Sequence, residues 1–155
     1  MRSFYDFQVQ FNLGEIMKLA ILALTCFVSL NAFAIPNPAS KNCVEKGGMS
    51  QLVDGKNGQY SLCAFGKGKI EEWTLLRHNN GTSQEAVAKL INARVMAKDA
   101  ATKCKKLAGT VLVDKVSSGA DIQVCKFKDG SKIEANTLFA GAGVKSNKKL
   151  VKALK

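Results

Sequence analysis

The chain is short of the residues on which most catalytic chemistry depends. Its 155 residues hold one histidine, one tryptophan, two tyrosines and two prolines. His78 has no histidine near it, so a histidine-built metal site is excluded. No C-x-x-C pair occurs, which argues against both a zinc ribbon and a thioredoxin-like redox centre. Acidic residues are scarce, 12 against 23 lysines and arginines, and the formal charge is +11. The few acids are dispersed, and no nucleophile–base constellation is visible, so an enzyme is not expected. Neither a cofactor nor a metal is expected. The main apolar run, Leu19 to Leu30, is shorter than the roughly 20 residues a membrane-crossing helix needs. Aromatic residues are not interleaved with the lysines as a base-stacking surface requires, so no nucleic-acid partner is expected.

What is present is a repeat. Cys63-Ala64-Phe65-Gly66-Lys67-Gly68-Lys69-Ile70-Glu71-Glu72 returns as Cys125-Lys126-Phe127-Lys128-Asp129-Gly130-Ser131-Lys132-Ile133-Glu134. At fixed offset this alignment sets Glu72 against Glu134 and Trp73 against Ala135. Upstream, Ala39 to Cys43 with Gly48 match Ala100 to Cys104 with Gly109.

The segment from Met17 reads as an export signal: Met17-Lys18, the apolar run, then Ala32-Phe33-Ala34, with cleavage expected after Ala34. Residues 1–16 contain Asp6 and Glu15 and lack a basic cluster, so translation is expected to start at Met17, a long n-region being the alternative. Leu24-Thr25 before Cys26 lacks the small residue that lipid attachment requires. A periplasmic or secreted protein follows, with residues 17–34 as signal peptide. Cleavage removes Arg2 and Lys18 together with Asp6 and Glu15, so the basic balance persists. It leaves Cys43, Cys63, Cys104 and Cys125. An even count in an exported chain predicts disulfides. Of three pairings the repeat favours Cys43–Cys63 and Cys104–Cys125, each closing a loop of about 20 residues and contributing roughly 3 kcal/mol.

The expected fold is α+β, two tandem helix-plus-antiparallel-hairpin or meander units, each with one internal disulfide. Residues 35–78 form the first unit, 79–98 a linker and helix, 99–141 the second unit and 142–155 a basic tail. Asn37 caps a helix from Pro38 to about Lys46, ended by Gly47-Gly48. Strands are expected over Met49–Val53 and Gln59–Phe65, with Tyr60 and Leu62 on the face opposite Cys63 and Phe65. Ile70–Leu76 reads as a third strand, with a short helix as the alternative. Its alternation puts Glu71 and Glu72 on opposite faces, as a solvated edge or lysine partners. Ser83 opens a helix that could run unbroken to Ala108, or break at Asp99. Leu90, Ala97, Ala101, Cys104 and Ala108 form its buried stripe. Strands Thr110–Val116, Ala120–Phe127 and Ile133–Phe139 complete the second unit. Trp73 is expected to anchor the core. The apolar faces carrying Tyr60 and Leu62, or Ile122 and Val124, need covering by the other copy or by one continuous sheet.

The segment Asn37-Pro38-Ala39-Ser40 with Cys43 and Gly47-Gly48, then Gly58-x-Tyr60-x-x-Cys63-x-Phe65, Glu71-Glu72-Trp73 and Arg77, resembles a bacterial domain-of-unknown-function family that carries the label haemolysin (hemolysin). Its members are small exported or lipid-anchored domains with cysteines. The resemblance is closest over residues 36–77, and Ala100 to Phe139 reads as a diverged second copy. Two family cysteines are missing: Ile70 stands where one precedes E-E-W, and none follows Arg77. The resemblance implies no catalytic residues.

The expected function is an exported, non-enzymatic binding or interaction module of the cell envelope. The alternative is a cationic, membrane-active haemolysin-type protein. The charge favours an anionic envelope surface, a membrane or an acidic protein as partner. Lys145, Lys148, Lys149, Lys152 and Lys155 form a candidate binding surface, with Val144, Leu150, Val151 and Leu154 as a narrow apolar face. The competing expectation is a frayed, solvated tail that can be deleted without loss of the fold.

Overall fold

Helix-stopping glycines, tight turns and two covalent staples divide this chain into short elements. The computed structural model describes residues 37–155; the expected start, signal and cleavage positions lie outside the described residues. In chain order the elements are α1 (Pro38–Glu45), β1 (Met49–Gly55), β2 (Gly58–Phe65), β3 (Gly68–Glu71), α2 (Glu72–Asn79), α3 (Glu85–Asn92), α4 (Ala100–Lys106), β4 (Thr110–Val116), β5 (Asp121–Lys126), β6 (Lys132–Glu134), α5 (Ala135–Ala140), a 3-10 turn (Lys145–Asn147) and α6 (Lys148–Ala153). The architecture is α+β, two repeated units with one disulfide each. Cys43–Cys63 and Cys104–Cys125 are bonded, with Cα–Cα distances of 5.6 and 5.7 Å. Such bonds belong to an oxidising, extracytoplasmic environment.

The six strands form one closed barrel in the order β1-β2-β3-β6-β5-β4. All neighbours are antiparallel. The two pairs that join the copies, β3 with β6 and β1 with β4, match Ile70 to Ile133 and Asp54 to Lys115. In each case a residue meets its own counterpart, so a pseudo-twofold axis passes through both seams. Closure answers the problem of the second apolar face. Val53, Leu62, Val116, Ile122 and Val124 form one buried cluster, with Tyr60 and Leu112 packed on it. This cluster fills the barrel. The other strand face carries both disulfides, Phe65, Phe127, Ile70 and Ile133, and the helices cover it.

Several expectations change. The third element of each unit is a strand followed at once by a helix. Glu71 and Glu134 turn the chain, each accepting the backbone N–H three residues on, from Thr74 at 2.8 Å and from Thr137 at 2.9 Å. Glu71 is therefore the counterpart of Glu134, one residue away from the fixed-offset alignment. The turn after Phe127 is one residue longer than that after Phe65, which displaces everything downstream. Glu72 matches Ala135, Trp73 matches Asn136, and the shared pattern is Ile-Glu-x-x-Thr-Leu. Neither Glu71 nor Glu72 lies on a solvated edge; both are buried. Glu72 accepts from Ser40 Oγ at 2.6 Å. Trp73 is 42% exposed, because a helix beginning at Glu72 turns it outward.

The two threonines of this pattern lock the seam. Thr74 Oγ1 donates to Glu71 at 2.7 Å and accepts the N–H of Lys132, in the other copy, at 3.0 Å. Thr137 Oγ1 donates to Glu134 and accepts the N–H of Lys69 at 2.9 Å. The β3–β6 ladder is a single residue pair long, and the reciprocal clasp extends it.

The chain also breaks between Asn92 and Ala100 instead of continuing as one helix. Asp99 caps α4 by accepting from Thr102 N at 2.7 Å and Thr102 Oγ1 at 3.0 Å. Ala108, expected in a buried stripe, is exposed, while Ala100 and Leu107 are buried. Ser83 does not cap α3. The β5–β6 turn does so from the other copy, with Asp129 accepting from Glu85 N at 2.7 Å and Ser131 Oγ from Ala86 N at 2.9 Å.

The tail is the counterpart of α3. Leu150, Ala153 and Leu154 are buried in the main core, against the frayed terminus expected. A Cβ on Gly68, in the β2–β3 turn, would meet Leu150 Cβ at 3.2 Å. Asn147 is buried and donates to the carbonyls of Thr137 and Gly141, each at 2.9 Å. Each copy therefore sends its trailing helix across to the other copy's hairpin: α3 onto β5–β6, α6 onto β2–β3. The linker helix and the tail are parts of the repeat.

Candidate functional site

The barrel interior departs from twofold symmetry at its two ends. Structural equivalence sets Tyr60 against Ile122, Asp114 against Val53 and Lys126 against Ala64. Ile122 and Val53 pack in the buried cluster that fills the barrel. Tyr60, Asp114 and Lys126 come together at one of its ends.

At that polar end Tyr60 Oη donates to Asp114 Oδ2 at 2.8 Å. Asp114 is buried and Tyr60 half-buried. The Tyr60 hydroxyl is held protonated well above the ordinary phenol range. Burial contributes most, followed by the hydrogen bond to Asp114 and the negative charges of Asp114 and Glu71. It is a fixed donor and not a titrating base. Lys132 Nζ sits over the Tyr60 ring, 3.9 Å from its centroid, as a cation–π contact. Gly55 makes room for this group: a Cβ there would meet Tyr60 Cε1 at 3.1 Å and Asp114 Oδ2 at 3.3 Å.

Between these side chains and the β1–β2 turn lies a cleft of about 460 Å³. It exists because β1 and β4 are paired over two residues only, after which the hairpin tip and β4 diverge. Lys56, Asn57 and Lys126 stand at its rim, Leu112 on its wall, and Tyr60 with Asp114 at its inner end. A volume of this order is that of small-molecule sites. A second cleft of about 350 Å³ lies beside Gln84, Val87 and Ile91. Its Gln84 is already engaged, Oε1 accepting from Arg77 Nε at 3.2 Å and Nε2 donating to the Ser83 carbonyl at 2.9 Å. Among the described residues no group of three histidine, cysteine or acidic side chains is placed to hold a metal.

The four cysteines singled out from the sequence are structural staples, fully buried, and none of them lines the cleft. Lys145, Lys148, Lys149, Lys152 and Lys155 are exposed, and none lines the cleft. Of their apolar companions Leu150 and Leu154 are in the core, and Val144 and Val151 alone stay partly exposed, a small fraction of the apolar face an interfacial helix needs. Tyr60, Asp114, Lys126 and Lys132 were not among the sequence candidates. The signal for them was the mismatch between the copies, a carboxylate against Val53 and a phenol against Ile122.

The family comparison agrees with the internal symmetry. A family model described as a domain of unknown function, DUF333, matches residues 34–79 and again 95–142. No curated protein and no solved structure matches the chain. With both halves of the barrel matched in turn, the chain belongs to the DUF333 family and carries two copies of its domain in tandem.

Proposed function

We propose that this protein is an exported, non-enzymatic binding module of the cell envelope, periplasmic or secreted, that holds its ligand in the cleft at the polar end of the barrel. One observation carries the reading: Tyr60, Asp114 and Lys126, whose counterparts are Ile122, Val53 and Ala64, converge on a single cleft. A duplicated scaffold needs neither a phenol nor a carboxylate there for stability, because the equivalent positions are filled by Ile122 and Val53 in the buried cluster. Binding is favoured over catalysis because Asp114 is engaged by a phenol that stays protonated, which leaves no free nucleophile–base pair.

The test uses a variant that gives the polar end the residues of its equivalent positions, Tyr60→Ile/Asp114→Val/Lys126→Ala. Mature, oxidised wild-type protein is immobilised and exposed to envelope extract, with this variant alongside. The variant is expected to keep its thermal midpoint within a few degrees and to lose the material that the wild type retains. Equal retention by both would remove the cleft from the reading, and turnover of any substrate in a broad hydrolase screen would remove the word non-enzymatic.

The cationic membrane-active alternative draws on the five tail lysines. Its apolar face is reduced to Val144 and Val151, because Leu150, Ala153 and Leu154 are occupied in the core. Leakage of dye from anionic vesicles, measured with the folded protein, discriminates between the two.

A further inference from the structure

We infer that the ligand of this cleft is a small organic anion: one oxyanion group held between Lys126 and Lys132, with an aliphatic or ring-shaped body against Leu112 and Tyr60. The inference rests on the binding-module reading and names the chemistry of its ligand.

The charge balance is the first argument. The cleft is lined by Lys56, Lys126 and Lys132 against a single acid, Asp114. Asp114 already accepts the Tyr60 hydroxyl. Among the described residues the ion pairs are Lys41–Glu45, Arg77–Glu71 and Lys115–Asp121, so none of the three cleft lysines has a carboxylate partner. Lys132 is half-buried and has an aromatic face as its neighbour. A cation–π contact satisfies one side of an ammonium and leaves its other donors directed elsewhere. An incoming oxyanion adds charge-assisted hydrogen bonds there, which are about twice as strong as neutral ones.

Asymmetry is the second argument. Lys132 has a counterpart, Lys69, at the other end of the barrel, but Lys126 faces Ala64 in that comparison. Two lysines on adjacent paired positions, Lys126 opposite Lys132 across β5 and β6, occur at the polar end alone. Like charges placed directly opposite on a sheet are unfavourable. An anion between them turns that repulsion into attraction. The wall supplies the rest of the recognition. Leu112 and Val113 present aliphatic surface, while Asn57 and Gln59 offer amides. The cleft therefore suits an ion with an organic body better than a bare inorganic ion.

The experiment uses the full mature, oxidised chain labelled with nitrogen-15. Glucuronate, glucose 6-phosphate and hexanoate are the charged probes; glucose and hexanol are their neutral controls, and inorganic phosphate tests the head group alone. At least one charged probe is expected to shift the amide signals of residues 55–60, 111–114, 126 and 132 and to bind about tenfold tighter than its neutral control. Added salt should weaken it. Lys126→Ala/Lys132→Gln should lose that binding, and Lys126→Ala/Lys132→Arg should recover part of it, both at unchanged thermal midpoint. Neutral controls binding as well as the charged probes, or full binding by the Lys126→Ala/Lys132→Gln variant, would overturn the anion inference while leaving a binding cleft. Absence of cleft shifts with every probe would overturn it as well. The binding-module reading fails separately, if the Tyr60→Ile/Asp114→Val/Lys126→Ala variant captures the same envelope material as the wild type.

Discussion

At the staples, the two copies of this domain are interchangeable; at the ends of the barrel they are not. A Cβ on Gly48 would overlap the Cys63 sulfur, and one on Gly109 the Cys125 sulfur. The corner is the same in both copies because the disulfide leaves no room for a second solution. Inside the barrel, Tyr60 and Asp114 have become different from Ile122 and Val53. Tyr60 is paired with Val53 and Ile122 with Asp114, none of them with its own counterpart, so each can change without it. The comparison teaches where a duplicated fold can acquire chemistry. The staples and the Ile70–Ile133 seam are held to one answer by packing, while the Asp54–Lys115 seam and the cleft are free to differ.

The largest effect expected comes from breaking the exchange of trailing helices. Deleting residues 144–155 uncovers the core around Gly68 and removes two buried leucines, a loss of about 3–6 kcal/mol at roughly 1.5–3 kcal/mol for each. The urea midpoint of the truncated protein should fall sharply or the protein should fail to fold. An unchanged midpoint would restore the frayed-tail picture. Opening either disulfide should come next. Cys43→Ala/Cys63→Ala and Cys104→Ala/Cys125→Ala should each cost about 2–5 kcal/mol, and alike, because the loops are nearly equal. A large difference between them in urea unfolding would break the equivalence of the copies at the staples.

A smaller cost is expected at the seam. Thr74→Val takes one of its donors from buried Glu71 and leaves the Lys132 N–H without its partner, and Thr137→Val does the same to Glu134 and Lys69. About 1–3 kcal/mol is expected from each. The double variant should cost other than the sum, because both threonines serve one short ladder; strict additivity in a double-mutant cycle would mean two independent clasps.

The smallest effect sharpens the comparison by pH. Copy one caps its first helix with Asn37, which does not titrate, whereas copy two uses Asp99. The N–H and hydroxyl of Thr102 hold the Asp99 carboxyl below the ordinary carboxylate range. Partial burial pushes Asp129 up, but the N–H groups of Glu85 and Ser131 and the Ser131 hydroxyl outweigh it and lower it too. Both carboxylates stabilise the fold above the usual aspartate value, and that contribution is lost as pH falls through their lowered values. Hydrogen exchange below about pH 4 should therefore loosen α3 and α4 before α1. Asp99→Asn/Asp129→Asn should abolish that order, since asparagine caps without titrating.

The boundary between legible and hidden runs along the repeat itself. Both disulfides, the helix begun by Asn37-Pro38, the Asn57-Gly58 hairpin and the strand Thr110–Val116 could be read locally, because caps, turns and closed loops act over few residues. The third elements could not. Ile70 to Leu76 has an apolar pattern that fits strand and helix alike, and Glu71 decides by capping, with Thr74 in turn held from the other copy. The same ambiguity hid the one-residue slip that pairs Glu71 with Glu134.

By itself the sequence determined a doubled, disulfide-stapled α+β unit with excess positive charge, since cysteine spacing, glycine stops and composition are properties of the chain. Closure of the barrel, exchange of the trailing helices and convergence of Tyr60, Asp114, Lys126 and Lys132 on one cleft were decided only in three dimensions. Each depends on residues far apart in the chain meeting across a pseudo-twofold axis, and no local pattern encodes which end of a symmetric barrel a side chain will reach.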